Sequence, residues 1–534
     1  MSVRLEEALS RSFRGPYQCP AGARPNILWI VSDQLRADHV GFGGNAIVRT
    51  PNLDGLAARA RVFDNAWVAN PICMPNRCSM LTGRMPTAHG VIFNDRSLPP
   101  NANTFARQLT DAGYATALIG KAHIQHGLSR NVVREQRQPP TLFSPYPDGW
   151  DELENPENYL VENPSITDFY GFGHVEFAIG HGDSVAGHHY QWALHKGARP
   201  EQLNTAWGTD TQARERYPGW WQVYQSALPE EFHSTAFVTE RTIAWLEAHA
   251  GSGAAEKPFF LQCSFPDPHH PFSPPGDWWR AYRPEDMPLP ETFSDPLDNG
   301  PAHLRIIRQL KPGKNPVQMF GPTEDLVRHA LAAEYGLIEM MDRGIGRVLQ
   351  RLSELGLADD TIVVFTSDHG DMFGDHGLML KATMHYQGCL RVPLLVAVPG
   401  MTPGHTNAFA SSLDLAQTFL DFAATPTYQD MQGVSLKPVA ENVEASVRDH
   451  AYVEEDFPLA LHGSPLPLKS RTLLYGGYRY SRYSSGDCEL YDLTQDPNEL
   501  RNLANATDAR SIRAEMAERM LDVMTSLTPM ETLG

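Results

Sequence analysis

Within twelve residues, Cys73-Met74-Pro75-Asn76-Arg77 followed by Cys78-Ser79-Met80-Leu81-Thr82-Gly83-Arg84 combines a thiol, a guanidinium and the start and stop signals of a short helix. Proline suits a first helical turn, as Pro75 does here. Glycine commonly ends a helix, and Gly83 stands where this one should stop. A side chain at such a start faces unpaired backbone N–H groups and the positive end of the helix dipole, a ready place for an anion. Arg77 adds a fixed charge able to fork onto an oxyanion. The chemistry is that of a nucleophile beside an anion site. The competing reading is a buried packing cysteine.

Other chemistry-bearing residues follow apolar runs. Pro25 to Val31 contains a continuous apolar stretch that ends at Ser32-Asp33-Gln34. Ala115 to Ile119 ends at Gly120-Lys121-Ala122-His123, and Phe259 to Phe265 ends at Pro266-Asp267-Pro268-His269-His270-Pro271. Thr361 to Thr366 ends at Ser367-Asp368-His369-Gly370. Continuous rather than alternating apolarity marks strands buried on both faces, as in a parallel sheet. Helical spacing around 52–61, 103–112, 324–354 and 413–423 supplies the covering helices. In open α/β sheets, sites assemble along the carboxyl edge of the strands. Asp33, Gln34, Lys121, His123, His269, Asp368 and His369 are therefore expected to converge, although solvated loops after strands are the simpler account of any single cluster.

The expected fold is α/β: a large, mostly parallel sheet flanked by helices, with a small C-terminal antiparallel subdomain. The tail reads as short strands at 471–475, 478–483 and 489–493, then a closing helix over 511–526. The expected division is an N-terminal extension over 1–24, a catalytic domain over 25–448 and the subdomain over 449–534. Residues 125–235, rich in Trp, Tyr, His, Pro and Gly, break the strand–helix rhythm and read as an insertion that shapes a pocket, or as a structural excursion.

The chain has 534 residues and a formal net charge of −19, which argues against nucleic acid and anionic membrane as partners and disfavours polyanionic chains. The first 18 residues lack the apolar core of a secretory signal, and no apolar run is long enough to span a bilayer. Six scattered cysteines without framework spacing read as reduced thiols, so a cytoplasmic location is expected.

Cys-x-Pro-x-Arg followed by Leu-Thr-Gly, at Cys73 to Gly83, resembles the signature of the formylglycine-dependent sulfatases of the alkaline phosphatase superfamily. The resemblance continues in order through Gly-Lys-x-His at 120–123, His-x-Pro at 269–271 and Glu489 to Leu493 with Asp496-Pro497, and so spans nearly the whole chain. It implies an alkaline phosphatase-like fold. It also implies that Cys73 is oxidised by a formylglycine-generating enzyme to an aldehyde whose hydrate is the nucleophile, with Cys78 left as a packing residue.

Asp33 with Gln34, and Asp368 with His369, offer carboxylate and amide oxygens and one imidazole, a set suited to one divalent ion. Sulfatases typically present Asp-Asp and Asp-Asn at these places and hold calcium. Gln34 and His369 depart from that pattern, resemble the phosphonate monoester hydrolase branch, and raise manganese as the alternative to calcium. The resemblance further implies that Arg77 assists the nucleophile, that Lys121 contacts the nucleophile or the ester oxygens, and that His123 is the base that collapses the covalent intermediate. It gives His269 and Lys381 the ester oxygens near the leaving group, and Asn94 a substrate-binding place near the metal.

The leading expectation is an arylsulfatase-type hydrolase of small sulfate esters, promiscuous toward phosphonate and phosphate esters, and a homo-oligomer (dimer or tetramer). The alternative is a phosphonate monoester or phosphodiester hydrolase with the same nucleophile. A third reading, from another class, is an unconverted metal-stabilised binding protein.

Overall fold

A computed structural model describes residues 24–126, 146–204, 213–251, 257–315, 318–458 and 468–527. The expected N-terminal extension lies outside the described residues except for Arg24, as do 127–145 and 205–212 of the expected insertion.

In chain order the strands are β1 (Asn26–Ser32), β2 (Arg61–Trp67), β3 (Ala115–Gly120), β4 (His174–Phe177), β5 (Ala213–Arg216), β6 (Tyr224–Ser226), β7 (Phe259–Ser264), β8 (Thr361–Ser367), β9 (Leu394–Ala397) and β10 (Gly404–Ser411). Eight of them form one sheet in the order β10-β2-β9-β8-β1-β7-β3-β4, and β5 with β6 make a separate hairpin. Only β9 runs against its neighbours in the large sheet. The four strands expected from continuous apolar runs are β1, β3, β7 and β8, and they sit together at the centre. Strands β2, β4, β9 and β10 carry weaker patterns and escape a reading based on continuous apolarity.

Each face of the sheet is covered by helices. Leu28 and Ile30 of β1 join one core with residues of α5 (Glu324–Glu354), while Ile27, Trp29 and Val31 face Phe105 of α3 (Phe105–Asp111) and Phe419 of α6 (Leu415–Phe422). The remaining helices named here are α1 (Pro51–Ala57), α2 (Cys73–Thr82), α4 (Ser234–Gly251) and α7 (Arg510–Ser526). Thr323 caps α5, its side chain accepting from the Leu326 N–H. Five cysteines (73, 78, 263, 389 and 488) are free thiols. Among the described residues, no helix is long and apolar enough to cross a membrane.

The register of the central strands positions the site. Ser32 of β1 pairs with Ser367 of β8, so Asp33 and Asp368 leave the sheet side by side. Ser264 of β7 pairs with both Val31 and Gly120, which brings the ends of β1, β7 and β3 level. Gly120 has φ +109°, and a Cβ there would lie 1.8 Å from the Ser264 carbonyl oxygen, so only glycine lets β3 turn into Lys121.

The C-terminal sheet, β11 (His450–Phe457), β12 (Leu468–Tyr475), β13 (Tyr478–Tyr483) and β14 (Cys488–Asp492), is antiparallel throughout. The sheet and the segment that follows it grip the loop that carries Lys381. Glu455 accepts from the Thr383 N–H (2.8 Å) and meets His385 Nε2 (3.0 Å); the Tyr386 hydroxyl donates to Glu489 (2.8 Å); Glu499 accepts from the Gln387 N–H (3.0 Å). Behind these contacts Arg479 is fully buried against Glu489 and Glu499, with Tyr386 and Tyr491 on its faces at 4.8 and 4.6 Å. Removing one member of such a buried ionic group leaves uncompensated charge. Arg479→Leu is expected to destabilise the protein by about 3–5 kcal/mol, read as a lowered denaturant midpoint; an unchanged midpoint would refute this role.

Candidate active site

Helix α2 begins at Cys73, as the positions of Pro75 and Gly83 predict, and Gly83 caps it in the left-handed conformation. All ten of its residues are buried. Asn76 anchors it to the sheet by donating to the Asp368 carbonyl (2.5 Å). The Cys73 sulfur lies 3.0 Å from His369 Nε2, 3.4 Å from Lys381 Nζ and 3.8 Å from Asp33 Oδ1. Cys78 packs into the core, as expected of a residue outside the motif.

Arg77 donates from Nε to Asp368 Oδ2 (2.7 Å) and from Nη1 to the Lys121 carbonyl and Ser264 Oγ. Its Nη2 is buried with no hydrogen-bond partner among the described residues. Lys121 pairs with Asp33 Oδ2 and lies 2.6 Å from His181 Nε2. Lys381 donates to Gln34 Oε1 (2.6 Å).

The strand-end residues thus converge around Cys73. Burial works against the Asp33 carboxylate, but Lys121, His269 and His181 outweigh it and hold its pKa well below the usual range. Burial, with Asp33 adding to it, pushes the Cys73 thiol up against the pull of Lys121 and Lys381. Burial lowers His369 to about 4 and His181 to about 4.

His369 tests whether the donor set fits a cation. Its Nδ1 lies 2.9 Å from the Gly370 carbonyl, which can only accept, so the ring proton belongs on Nδ1. Nε2 then presents a lone pair toward Asp33 Oδ1 (3.5 Å) and Asp368 Oδ1 (3.6 Å). The Cys73 thiol can give its proton to only one of these three acceptors, so their convergence matches an arrangement of metal ligands, and the ligand atoms of Asp33, Cys73, Asp368 and His369 all lie within 4.8 Å of one another. Gln34 Oε1 lies 2.6 Å from Lys381 Nζ, which is 3.4 Å from Cys73 Sγ, so an amide oxygen stands beside this group, and two carboxylates with one imidazole fit one divalent ion.

His269 lies in the same cluster, its Nδ1 turned to the His270 carbonyl and its Nε2 left available. His270 holds Gln34 through Nδ1 (3.0 Å). His123, partly buried with φ +52°, lies with its ring 6.2 Å from that of His181, and its Nδ1 has no hydrogen-bond partner among the described residues. Burial and the neighbouring Lys121 hold it well below the usual histidine range. Asn94 accepts from the Met74 N–H (3.2 Å), so its oxygen caps the start of α2 beside Cys73.

Two residues of the insertion belong to the site although the sequence gives neither a role. His181, in Gly180-His181-Gly182-Asp183, touches Lys121 and Asp33 (3.3 Å) and stacks on His269 with ring centroids 3.7 Å apart. Lysine only donates, so His181 Nε2 is its acceptor. Glu154 accepts the N–H groups of His123, Ile124 and Gln125 at 2.6–2.8 Å and fixes the loop that carries Lys121 and His123. The histidine-rich composition of 180–192 is the only sequence signal for His181; nothing local marks Glu154.

The sulfatase family matches residues 25–425. The chain belongs to the sulfatase family. It is thereby a sulfuric ester hydrolase of the alkaline phosphatase superfamily, with the fold expected above. A second family, N-sulphoglucosamine sulphohydrolase, C-terminal, matches residues 374–526 of this sulfatase. An arylsulfatase of Clostridium perfringens (strain 13 / Type A) is 30% identical over 497 residues, covering 91% of each chain. A choline-sulfatase of Rhizobium meliloti (strain 1021) is 28% identical over 486 residues, covering 90% of this chain and 82% of its own. The crystal structure of the phosphonate monoester hydrolase of Agrobacterium radiobacter matches with a TM-score of 0.73 at 25% identity, covering 95% of this chain and 96% of that one.

Since His181 holds both Lys121 and the face of His269, His181→Ala is expected to lower kcat toward an aryl sulfate by roughly 100-fold, through misplacement of those groups, with little change in the unfolding transition. Steady-state kinetics with a wild-type kcat would refute this role.

Proposed function

We propose that this sulfatase hydrolyses small sulfate monoesters of the arylsulfatase type through a formylglycine made from Cys73 by a formylglycine-generating enzyme, beside one divalent ion. The observation that carries the reading is the junction of Cys73 with the acceptor set of Asp33, Asp368 and His369 and with the cations Lys121, Arg77 and Lys381. A nucleophile, a cation position and several donors for a tetrahedral anion meet at one sheet edge.

The hydrated formylglycine supplies an oxygen nucleophile for sulfur and an aldehyde that re-forms when sulfate departs. Asp33, Gln34, Asp368 and His369 would hold a divalent ion, which would supply positive charge for the nucleophile and for the ester oxygens. In this reading Arg77 offers its unpartnered Nη2 to the developing negative charge. Lys121 and His269 bind the transferring oxygens, and Lys381 and His269 steady the departing alkoxide or phenoxide. His123 takes the proton of the remaining hydroxyl through its unpartnered ring nitrogen. Asn94 holds the start of α2, so its part in substrate binding is indirect. The catalytic unit would run over 25–448 and the subdomain over 449–534.

Phosphonate monoester and phosphodiester hydrolysis is the second reading. It is favoured by Gln34 and His369 in the ligand set and by the likeness to the phosphonate monoester hydrolase. Aryl sulfate, phosphonate monoester and phosphate diester assayed on one preparation separate the two. The sulfate ester is expected to give the highest kcat/KM, and Cys73→Ala to lose nearly all turnover of every substrate while still binding metal. A Cys73→Ala variant with wild-type rates would end the formylglycine reading. An intact mass without the loss of sulfur at Cys73 would favour the unconverted binding protein.

The metal is read as manganese rather than calcium, because an imidazole ligand suits manganese and is poor for calcium. Elemental analysis is expected to find about one manganese per chain, and His369→Asn to shift the preference toward calcium. Full activity with calcium alone in the unsubstituted enzyme would overturn that ranking.

A further inference from the structure

Gln34 is the most ambiguous of the candidate ligands, because an amide presents either an acceptor or a donor at nearly the same place. Its surroundings remove the ambiguity. Gln34 Nε2 lies 2.9 Å from Asp371 Oδ2 and 3.0 Å from His270 Nδ1, while Oε1 lies 2.6 Å from Lys381 Nζ. A carboxylate only accepts and an ammonium only donates. Turning the amide over would set its N–H₂ against the ammonium and its oxygen against the carboxylate, two repulsions in a buried site.

Asp371 is fully buried and does more with its other oxygen. Oδ1 accepts from the Phe373 N–H (2.8 Å) and the Leu380 N–H (3.1 Å), closing the loop that ends at Lys381. The backbone of that loop is itself unusual: Leu380 and Ala382, on either side of Lys381, have φ of +74° and +73°. Non-glycine residues hold such angles only when the surroundings impose them. Arg36 adds to this by donating to the carbonyls of Asp371 and Met372, each at 2.9 Å.

We propose that Asp371 is a positioning residue: one of its oxygens fixes the Gln34 amide with Oε1 toward the metal position, and the other fixes the loop that delivers Lys381 to that same Oε1. The inference rests on the metal reading above and goes beyond it, since it concerns a side chain that touches neither ion nor substrate. It predicts that residues 34 and 371 act as a donor–acceptor pair whose polarity can be exchanged. In Asp371→Asn the new side-chain amide sets its N–H₂ against Gln34 Nε2, two donors together, and the Gln34 amide turns over. In Gln34→Glu two carboxylates face each other. In the double variant, which joins Gln34→Glu to Asp371→Asn, the amide introduced at position 371 donates to the carboxylate introduced at position 34, and an oxygen again faces the metal position.

The test is binding of Mn²⁺ and of Ca²⁺ to the full-length, metal-stripped chain, by chelator competition, with the metal-induced shift in thermal unfolding as a second readout. Each single variant is expected to weaken Mn²⁺ binding by about 10–100-fold. The double variant is expected to recover to within a few-fold of the wild type, with Ca²⁺ strengthened relative to Mn²⁺ by the added carboxylate. If Asp371→Asn fails to fold, the double variant must restore folding. Three results overturn the proposal: single variants that bind metal like the wild type, a double variant no better than the worse single, or a double variant that stays unfolded. A wild-type chain that binds neither ion overturns the metal reading, and this inference with it, whereas tight wild-type binding that Asp371→Asn leaves unchanged overturns this inference alone.

Discussion

Asp33 and Asp368 are carboxylates with no exposure to solvent, side by side at the ends of paired strands. Burying two like charges in a sheet edge is strongly unfavourable unless cations meet them. Much of the site answers that demand. Lys121 comes from the end of β3 to Asp33, and Arg77 comes from the second turn of α2 to Asp368. His369 stands between the two with a lone pair rather than a proton turned to them, which leaves a cation as the fitting neighbour for all three.

Charge of this kind requires loops that do not relax, and buried carboxylates serve that purpose. Glu154 takes three backbone N–H groups from the loop after β3, and Asp371 takes two from the loop before Lys381. Both accept from the backbone rather than pairing with the cation of their own loop. Lys121 and Lys381 are thereby left to turn toward Cys73 and its neighbours.

The C-terminal sheet acts on the site by the same means. Glu455, Glu489 and Glu499 reach across to residues 383–387, and Arg479 keeps two of these acids compensated. The C-terminal sheet therefore helps to set where Lys381 stands, although none of its described residues hydrogen-bonds to Cys73. The insertion contributes directly, since His181 enters between Lys121 and His269.

The sequence by itself determined the motif from Cys73 to Gly83, the helix it begins and the four central strands. Continuous apolar runs and start and stop residues are local signals, and a parallel sheet gathers the residues that follow its strands on one edge whatever the connections are. Hence Asp33, Gln34, Lys121, His123, His269, Asp368 and His369 were legible in advance as neighbours of one site. Strands β2, β4, β9 and β10 were not, because the partner across the sheet, not their own pattern, makes them strands. His181, Glu154 and Asp371 were not legible as site residues either. Each acts through a hydrogen bond to a residue between 31 and 337 positions away, and no spacing rule reaches across such a gap. Only the tertiary structure decided which way the Gln34 amide points, because that choice belongs to Asp371, His270 and Lys381, which fold around it from two other strand ends.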